Sequence, residues 1–379
     1  MNRYFQRRFR AFFAGATALR QRRRERRYLL PAAALFSLCC LLLCGCTVQG
    51  NLSSAQNSPE EGAFTAEVYA MDTRMTLRAY GETAEEAVAE ASKKLYALDG
   101  ELSAVQEGSQ IFALNNRLSD RVTGDAAAVL SESIRMSKLT EHFFDISIYP
   151  VVDAWGFSDK DYRVPDRSEI AELLAHTGMD RISFNGQTGV VSFADDQMKI
   201  DVGAIAKGYA SDLAAEIFRS HSVPSGTISL GGNVCAFGSK PDGSDWSIAI
   251  QDPFHPSDAN AYAGMLTCSD CFLVTSGSYQ RCFTEDGKRY GHIIDPSTGM
   301  PTDNGLESVT IVSESGTEAD ALSTALYVMG LDRACDFWRS CSDLRFDAIL
   351  ITDDGQIYVT EGIADSFQSG FGIPKVVRK

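Results

Sequence analysis

KIDVGAIAKGYASD, residues 199–212, sets the reading of the whole chain. Met198, Ile200 and Val202 alternate with Lys199 and Asp201, the period of a strand with one apolar face. Gly203 closes that run. Ile205, Tyr209, Leu213 and Ile217 then recur every fourth residue, the stripe of an amphipathic helix. Asp201 and Lys207 therefore fall at a strand-to-helix junction, and Lys207 lies two residues off the stripe. Free N–H groups and the helix dipole make such junctions anion sites. A plainer arrangement also suits these two residues: a solvated first-turn lysine and a capping aspartate.

Other stretches add chemistry. Leu230-Gly231-Gly232-Asn233 reads as a strand ending in two glycines, which permit a ligand to approach the backbone. Thr275-Ser276-Gly277 follows a second strand-like run. Gly291-His292-Ile293-Ile294-Asp295-Pro296-Ser297-Thr298-Gly299 sets one of the chain's 5 histidines beside an Asp-Pro turn. A histidine there is either a titrating group or a packed one. Asp320 and Thr324 stand at i and i+4 of a helical stretch, on one face. A carboxylate and a hydroxyl so placed suit a hard divalent ion, or simply one another by a hydrogen bond.

Composition narrows the function classes. The 379 residues are 44% hydrophobic, enough for one large domain or two fused lobes. The net charge is −15, but residues 1–46 hold ten Arg against one Glu. The remaining 25 of 35 basic and 49 of 50 acidic residues leave the body at −24. Such a body argues against nucleic acid as partner, though not against a nucleotide in one local pocket. Residues 1–46 read as an export signal: Arg22-Arg23-Arg24-Glu25-Arg26-Arg27, then an apolar run from Tyr28 to Cys44. The run is short for a membrane span and ends in Leu43-Cys44-Gly45-Cys46, a lipobox with Cys46 as the lipidated residue. An uncleaved N-terminal anchor is the alternative. Either way the body is expected to be exported and tethered to the outer face of a bacterial cell membrane. Residues 47–62 are polar and aperiodic, a flexible tether, and 63–379 form the functional domain. Cys268 and Cys271 form a C-x-x-C without the second ligand pair that a zinc site needs, so the body's cysteines read as structural or incidental.

The body mixes strands and helices without repeats or regular βα alternation, which predicts an α+β fold of mixed or antiparallel sheets. Strands are expected at Ala63–Tyr80, Ser225–Phe237, Trp246–Gln251, Phe272–Thr275 and Leu306–Val312, and at Ala348–Thr352 with Gln356–Val359. Val190–Phe193 and Met198–Val202 read as a hairpin around Ala194-Asp195-Asp196-Gln197. Helices are expected at Thr83–Leu98, Ala126–Leu139, Asp166–Ala175, Glu318–Met329 and Leu331–Ser340.

Taken in order, eight short blocks resemble the FAD:protein FMN transferases of the ApbE type. They are Met71-Asp72-Thr73; Ser103, Ser109-Gln110-Ile111 and Leu114-Asn115; Phe144-Asp145-Ile146-Ser147 with Trp155-Gly156-Phe157; and Asp201 to Tyr209. Gly231-Gly232-Asn233, Thr275 to Tyr279, His292 to Pro296 and Ala319 to Ala325 complete the series. The resemblance runs from about Thr65 to the last strands and implies the ApbE-like flavin transferase fold. It further implies Mg²⁺-dependent transfer of FMN from FAD to a threonine or serine of a target flavoprotein, with release of AMP. On this resemblance Met71, Val105, Phe143, Phe144, Asp145, Asp201, Lys207, Gly231, Gly232, Thr275, Ser276, Gly277, His292 and Ile294 hold the FAD. The Ala204 carbonyl, Asp320 and Thr324, with Ser323, bind Mg²⁺; His292 and Lys207 act in the chemistry.

The chain departs from the family pattern at three places. Asp72 stands where Gly is frequent, Val105 where an aromatic residue often stacks on the flavin, and Asn233 where Asp is frequent. No acceptor-like Asp-Gly-x-Thr-Gly-Ala-Thr segment occurs, so modification of another protein is expected. Two other functions fit the same residues: a Mg²⁺-dependent FAD pyrophosphatase, in which water replaces the threonine, and a non-catalytic exported FAD-binding lipoprotein. Asp320, Thr324 and His292 together favour catalysis, because a pure binder has no need of them.

Overall fold

The computed structural model describes residues 62–379; the proposed signal, Cys46 and the tether through residue 61 lie outside the described residues. Three layers build the body: helices, a nine-stranded sheet, and a three-stranded sheet. The strands are β1 (Ala63–Ala70), β2 (Thr73–Tyr80), β3 (Ile182–Phe184), β4 (Val191–Phe193), β5 (Ser225–Leu230), β6 (Asn233–Gly238), β7 (Trp246–Gln251) and β8 (Tyr262–Cys268). They continue as β9 (Cys271–Gly277), β10 (Cys282–Glu285), β11 (Lys288–Gly291), β12 (Leu306–Ser313), β13 (Phe346–Thr352), β14 (Ile357–Thr360), β15 (Phe367–Ser369) and β16 (Lys375–Val377). The helices are α1 (Ala84–Leu102), α2 (Gln110–Asn115), α3 (Gly124–Leu139), α4 (Tyr149–Ala154), α5 (Arg167–Leu174), α6 (Gly203–Ser220), α7 (Gly316–Met329) and α8 (Leu331–Ser340).

The large sheet runs β1-β2-β5-β6-β9-β12-β13-β14-β16. Its pairs are antiparallel except β14 with β16. This is the mixed α+β architecture expected. One face of the sheet carries α1, α6 and α7 over the main core; the other carries the small sheet β15-β8-β7 over a second core that includes Ile250, Leu266, Leu273 and Ile349. Buried residues occupy every side of α7, which places it at the centre of the helical layer. A third cluster of Val151, Trp155, Phe157, Ile170 and Ile294 supports the loop that follows β11.

Three strand readings are corrected. Ala63–Tyr80 is a hairpin, not one strand: Met71 and Asp72 turn at φ 49° and 57°. Positive φ at both positions is the signature of the type I′ hairpin turn. Ser225–Phe237 is likewise a hairpin, turning at Gly231 (φ 59°) and Gly232 (φ 103°). The hairpin expected between Val190–Phe193 and Met198–Val202 does not form. Instead β4 pairs back with β3, and residues 198–202 belong to no strand.

Their alternation is nonetheless real: Met198, Ile200 and Val202 are buried. The Asn115 side chain takes the place of a neighbouring strand. Its Oδ1 accepts from Ile200 N at 2.8 Å and its Nδ2 donates to Ile200 O at 2.8 Å. Asp201 N donates to Ile146 O, and Arg117 holds the Met198 carbonyl. The extended segment is thus satisfied without a ladder. Cys268 and Cys271 form a disulfide across the β8–β9 turn, in keeping with a structural part.

Candidate active site

The site forms where α6 and α7 cross beside the ends of β6 and β9. The crossing is close because both helices carry glycine there. A Cβ on Gly208 would lie 2.2 Å from the Gly316 carbonyl, and one on Gly316 would lie 2.8 Å from the Gly208 carbonyl. Most of the buried residues of α6 are correspondingly small: Ala206, Gly208, Ala210, Ser211, Ala214 and Ala215, beside Ile205 and Phe218. Of the predicted stripe only Ile205 is fully buried; Tyr209, Leu213 and Ile217 are half-buried. Each helix also ties the other down. The Asp212 carboxylate of α6 accepts from Gly316 N, Thr317 N and Thr317 Oγ1 at the start of α7. In return, Gly208 N of α6 donates to Asp320 Oδ2 of α7 at 2.8 Å.

That last bond organises the centre. The ordinary helical partner of the Gly208 N–H is the Ala204 carbonyl, four residues earlier. The Ala204 carbonyl thus stands one helical turn before the N–H group that the Asp320 carboxylate accepts. Asp320 is only 4% exposed and has no ion pair among the described residues. Burial pushes its pKa up, against the opposing pull of Lys207 and the Gly208 N–H. One turn on, Thr324 Oγ1 lies 3.3 Å from Ser276 Oγ at the end of β9. The plainer alternative, an Asp320–Thr324 hydrogen bond, is not made among the described residues. Ser323 Oγ, fully buried, donates to the Asp320 carbonyl and meets Ser276 Oγ at 2.8 Å. Both contacts hold it toward β9, so it is the least available of the expected ligands.

These groups fit a magnesium ion. Asp320, Thr324 and the Ala204 carbonyl are all oxygen donors, and they leave positions for phosphate oxygens and water. The carboxylate is buried and lies beside Asn233 Nδ2, which closes no full hydrogen bond, so a cation here would be stabilising. Among the described residues no cluster of three His, Cys, Asp or Glu side chains exists, so any metal site here uses hydroxyl or carbonyl oxygen as well.

Lys207 joins the remaining groups. Its Nζ donates to Gly203 O at 3.1 Å, and its charge acts on Asp201, His292 and Asp320. Asp201 Oδ1 accepts from Gly203 N at 2.9 Å, at the first residue of α6, whose N-cap is Val202. Burial raises the Asp201 pKa; Arg281 and Lys207 oppose it and Asp72 adds to it. His292 follows β11, and its Nδ1 lies 3.2 Å from the Arg281 carbonyl. Its surface is half-open, but it sits deep among protein atoms. Burial first, then Arg281 and Lys207, lowers its pKa to about 4. The imidazole is therefore neutral at pH 7 and free to accept a proton. Trp155 Nε1 donates to Gly299 O at 3.0 Å and fixes the Asp-Pro-Ser-Thr-Gly turn beside it.

The other expected residues are placed unevenly. The Met71 turn is tied to α1 through Met71 N and Asp99 Oδ1 at 2.9 Å. Gly231 packs on Thr73 so closely that a Cβ would lie 2.4 Å from Thr73 Oγ1. The Met-Asp-Thr and Gly-Gly turns are thus one surface. Gln280 Nε2 donates to the Thr275 carbonyl, and Gly277 closes the same strand. Val105 is 59% exposed on the loop after α1. Phe144 and Ile294 are 1% and 5% exposed and sit in core clusters. Phe143 is half-buried, with the Arg333 guanidinium 4.5 Å above its ring. Asp145 accepts from Ser147 N and Oγ as the cap of a short 3-10 turn, a structural duty. Arg281 and Asp212 escaped the sequence reading. Arg281 carries no motif of its own; Asp212 closes the quoted stretch, but its partner, the start of α7, is more than a hundred residues away.

Fold and site define an α+β protein with a buried, all-oxygen centre flanked by a lysine and a neutral histidine. The sequence model of the ApbE family matches residues 71–350, and the chain belongs to this family. It is similar to the FAD:protein FMN transferase of Klebsiella pneumoniae, 36% identical over 224 residues that cover 59% of this chain and 68% of that one. A similar relative is the FAD:protein FMN transferase of Haemophilus influenzae, 33% identical over 269 residues, 70% of this chain and 76% of that one. Among solved structures, the ApbE protein of Thermotoga maritima matches with TM-score 0.74 and 29% identity, over 80% of this chain and 99% of that one. The flavin transferase ApbE of Vibrio cholerae matches with TM-score 0.69 and 26% identity, over the same shares of the two chains.

Proposed function

We propose that this protein transfers FMN from FAD to a hydroxyl of a target flavoprotein and releases AMP. The observation that carries this reading is the buried Asp320 carboxylate accepting from the Gly208 N–H one turn after Ala204, with Lys207 acting on Asp201, His292 and Asp320 alike. Family membership and the names of its relatives support it.

In this reading Ala204 O, Asp320 and Thr324 hold Mg²⁺. The bound ion would neutralise charge on the phosphate oxygens. Lys207 sets a fixed positive charge against the diphosphate. The Met71–Thr73 and Gly231–Gly232 turns, Asp201 and Thr275–Gly277 line the rest of the FAD cleft. His292 takes the proton from the acceptor threonine or serine as its oxygen bonds to the FMN phosphorus. The bond from that phosphorus to the bridging oxygen breaks, and AMP leaves with the electron pair. Export and a lipid anchor at Cys46 would put this activity at the outer face of the cell membrane, where the target flavoprotein must then expose its acceptor.

The test is a mixture of residues 47–379, FAD, Mg²⁺ and a carrier with an acceptor threonine. A carrier mass gain of one FMN together with AMP supports the transferase. AMP and free FMN beside a carrier known to be modified by another transferase would replace it with a pyrophosphatase. FAD binding without AMP would leave only a binding protein.

A further inference from the structure

Asn233 has no place in the chemistry above, yet it occupies an unusual position. It is the first residue of β6, directly after the Gly231–Gly232 turn, and is 2% exposed. Its Nδ2 is buried and closes no hydrogen bond. A buried amide left open is costly, and most buried polar side chains have a partner. This one acts on the Asp320 carboxylate as a donor and holds its pKa down, without reaching full hydrogen-bond geometry. The backbone of Asn233 is fixed by pairing with Leu230 on one side and Val274 on the other. The side chain is therefore presented from a rigid strand.

Asp320 has two carboxylate oxygens. Gly208 N occupies Oδ2 from the α6 side. A second donor from the β6 side would stop the carboxylate from rotating and leave one oxygen face open to a cation. Donors of this kind, standing behind a ligand, commonly set metal affinity by about 10–100-fold.

We propose that Asn233 is a positioning residue for the cation site: its amide closes on Asp320 when Mg²⁺ is bound and fixes the ligand oxygen. This rests on the reading of Asp320 as a magnesium ligand. Because the amide makes no full hydrogen bond, its removal should cost the fold little. Affinity and stability should therefore separate.

The test is Mg²⁺ titration by calorimetry of residues 47–379 as wild type, Asn233→Ala, Asn233→Asp and Asp320→Ala, each with its Mg²⁺-free melting temperature. Asn233→Asp keeps the volume but replaces the donor with an acceptor. The expected result is about a 10-fold or greater loss of Mg²⁺ affinity in both Asn233 variants, with Mg²⁺-free melting unchanged or raised in Asn233→Ala. Unchanged Mg²⁺ affinity in both variants would overturn the proposal while leaving the magnesium site itself intact. Wild type that binds no Mg²⁺, or Asp320→Ala that binds it as well as wild type, would overturn the magnesium reading and this inference with it.

Discussion

At the level of single residues, the account depends on a neutral histidine among cations. His292 has its pKa lowered to about 4 by burial, Arg281 and Lys207. A base must be unprotonated to act, so the free enzyme should keep its base form from pH 7 down to well below 6.5. The profile of kcat/KM reports free-enzyme groups. Its acid limb should therefore lie below the ordinary histidine range, and His292→Ala should slow transfer by about 10²–10⁴-fold. An inflection near pH 6.5 in kcat/KM would show that this imidazole is not the base, or is not held as described. Sequence alone could not reach this point. Arg281, whose charge helps to lower the His292 pKa, stands 11 positions before it with no motif to mark it. Asp201, Lys207, Asp320 and Thr324 were all legible, because their residue types and spacing already imply a junction and a helical face.

At the level of elements, the helix crossing carries the site. Gly208 and Gly316 let α6 and α7 approach until Gly208 N reaches Asp320. Gly208→Ala would place a methyl group 2.2 Å from the Gly316 carbonyl and must push the helices apart. The expected cost is about 1–3 kcal/mol of stability by chemical denaturation, with weakened Mg²⁺ binding. Unchanged stability would mean that the crossing is not as tight as described. Periodicity found every one of the expected helices to within a few residues, but it could not see this contact. A stripe of Ile and Tyr signals a helix, whereas most of the buried residues of α6 are Gly, Ala and Ser, with only Ile205 of the stripe fully buried. The failed 190–202 hairpin has a related cause. The partner of residues 198–202 is a side chain, Asn115, and alternation cannot distinguish that from a strand.

At the level of the whole molecule, a buried charged centre sits within an otherwise ordinary three-layer fold. The folded-state pKa of Asp320 lies above its unfolded value, so the native state holds that proton more tightly. Its contribution to stability is therefore lost as pH rises through the folded pKa. Mg²⁺ should reverse this. At 100 times Kd, a ligand that binds only the native state adds about 2.7 kcal/mol. The melting temperature at pH 7 should rise with Mg²⁺, rise less in acid, and not respond in Asp320→Ala; equal responses in both proteins would place the ion elsewhere. The layer order was legible only as a class, α+β, because the pairing of β6 with β9 and the separation of the nine-stranded from the three-stranded sheet depend on contacts distant in sequence. The most direct measurement is the intact mass of an acceptor flavoprotein after incubation with residues 47–379, FAD and Mg²⁺. The account predicts a gain of one FMN with wild type and none with Asp320→Ala. An acceptor that gains FMN equally from both would contradict it.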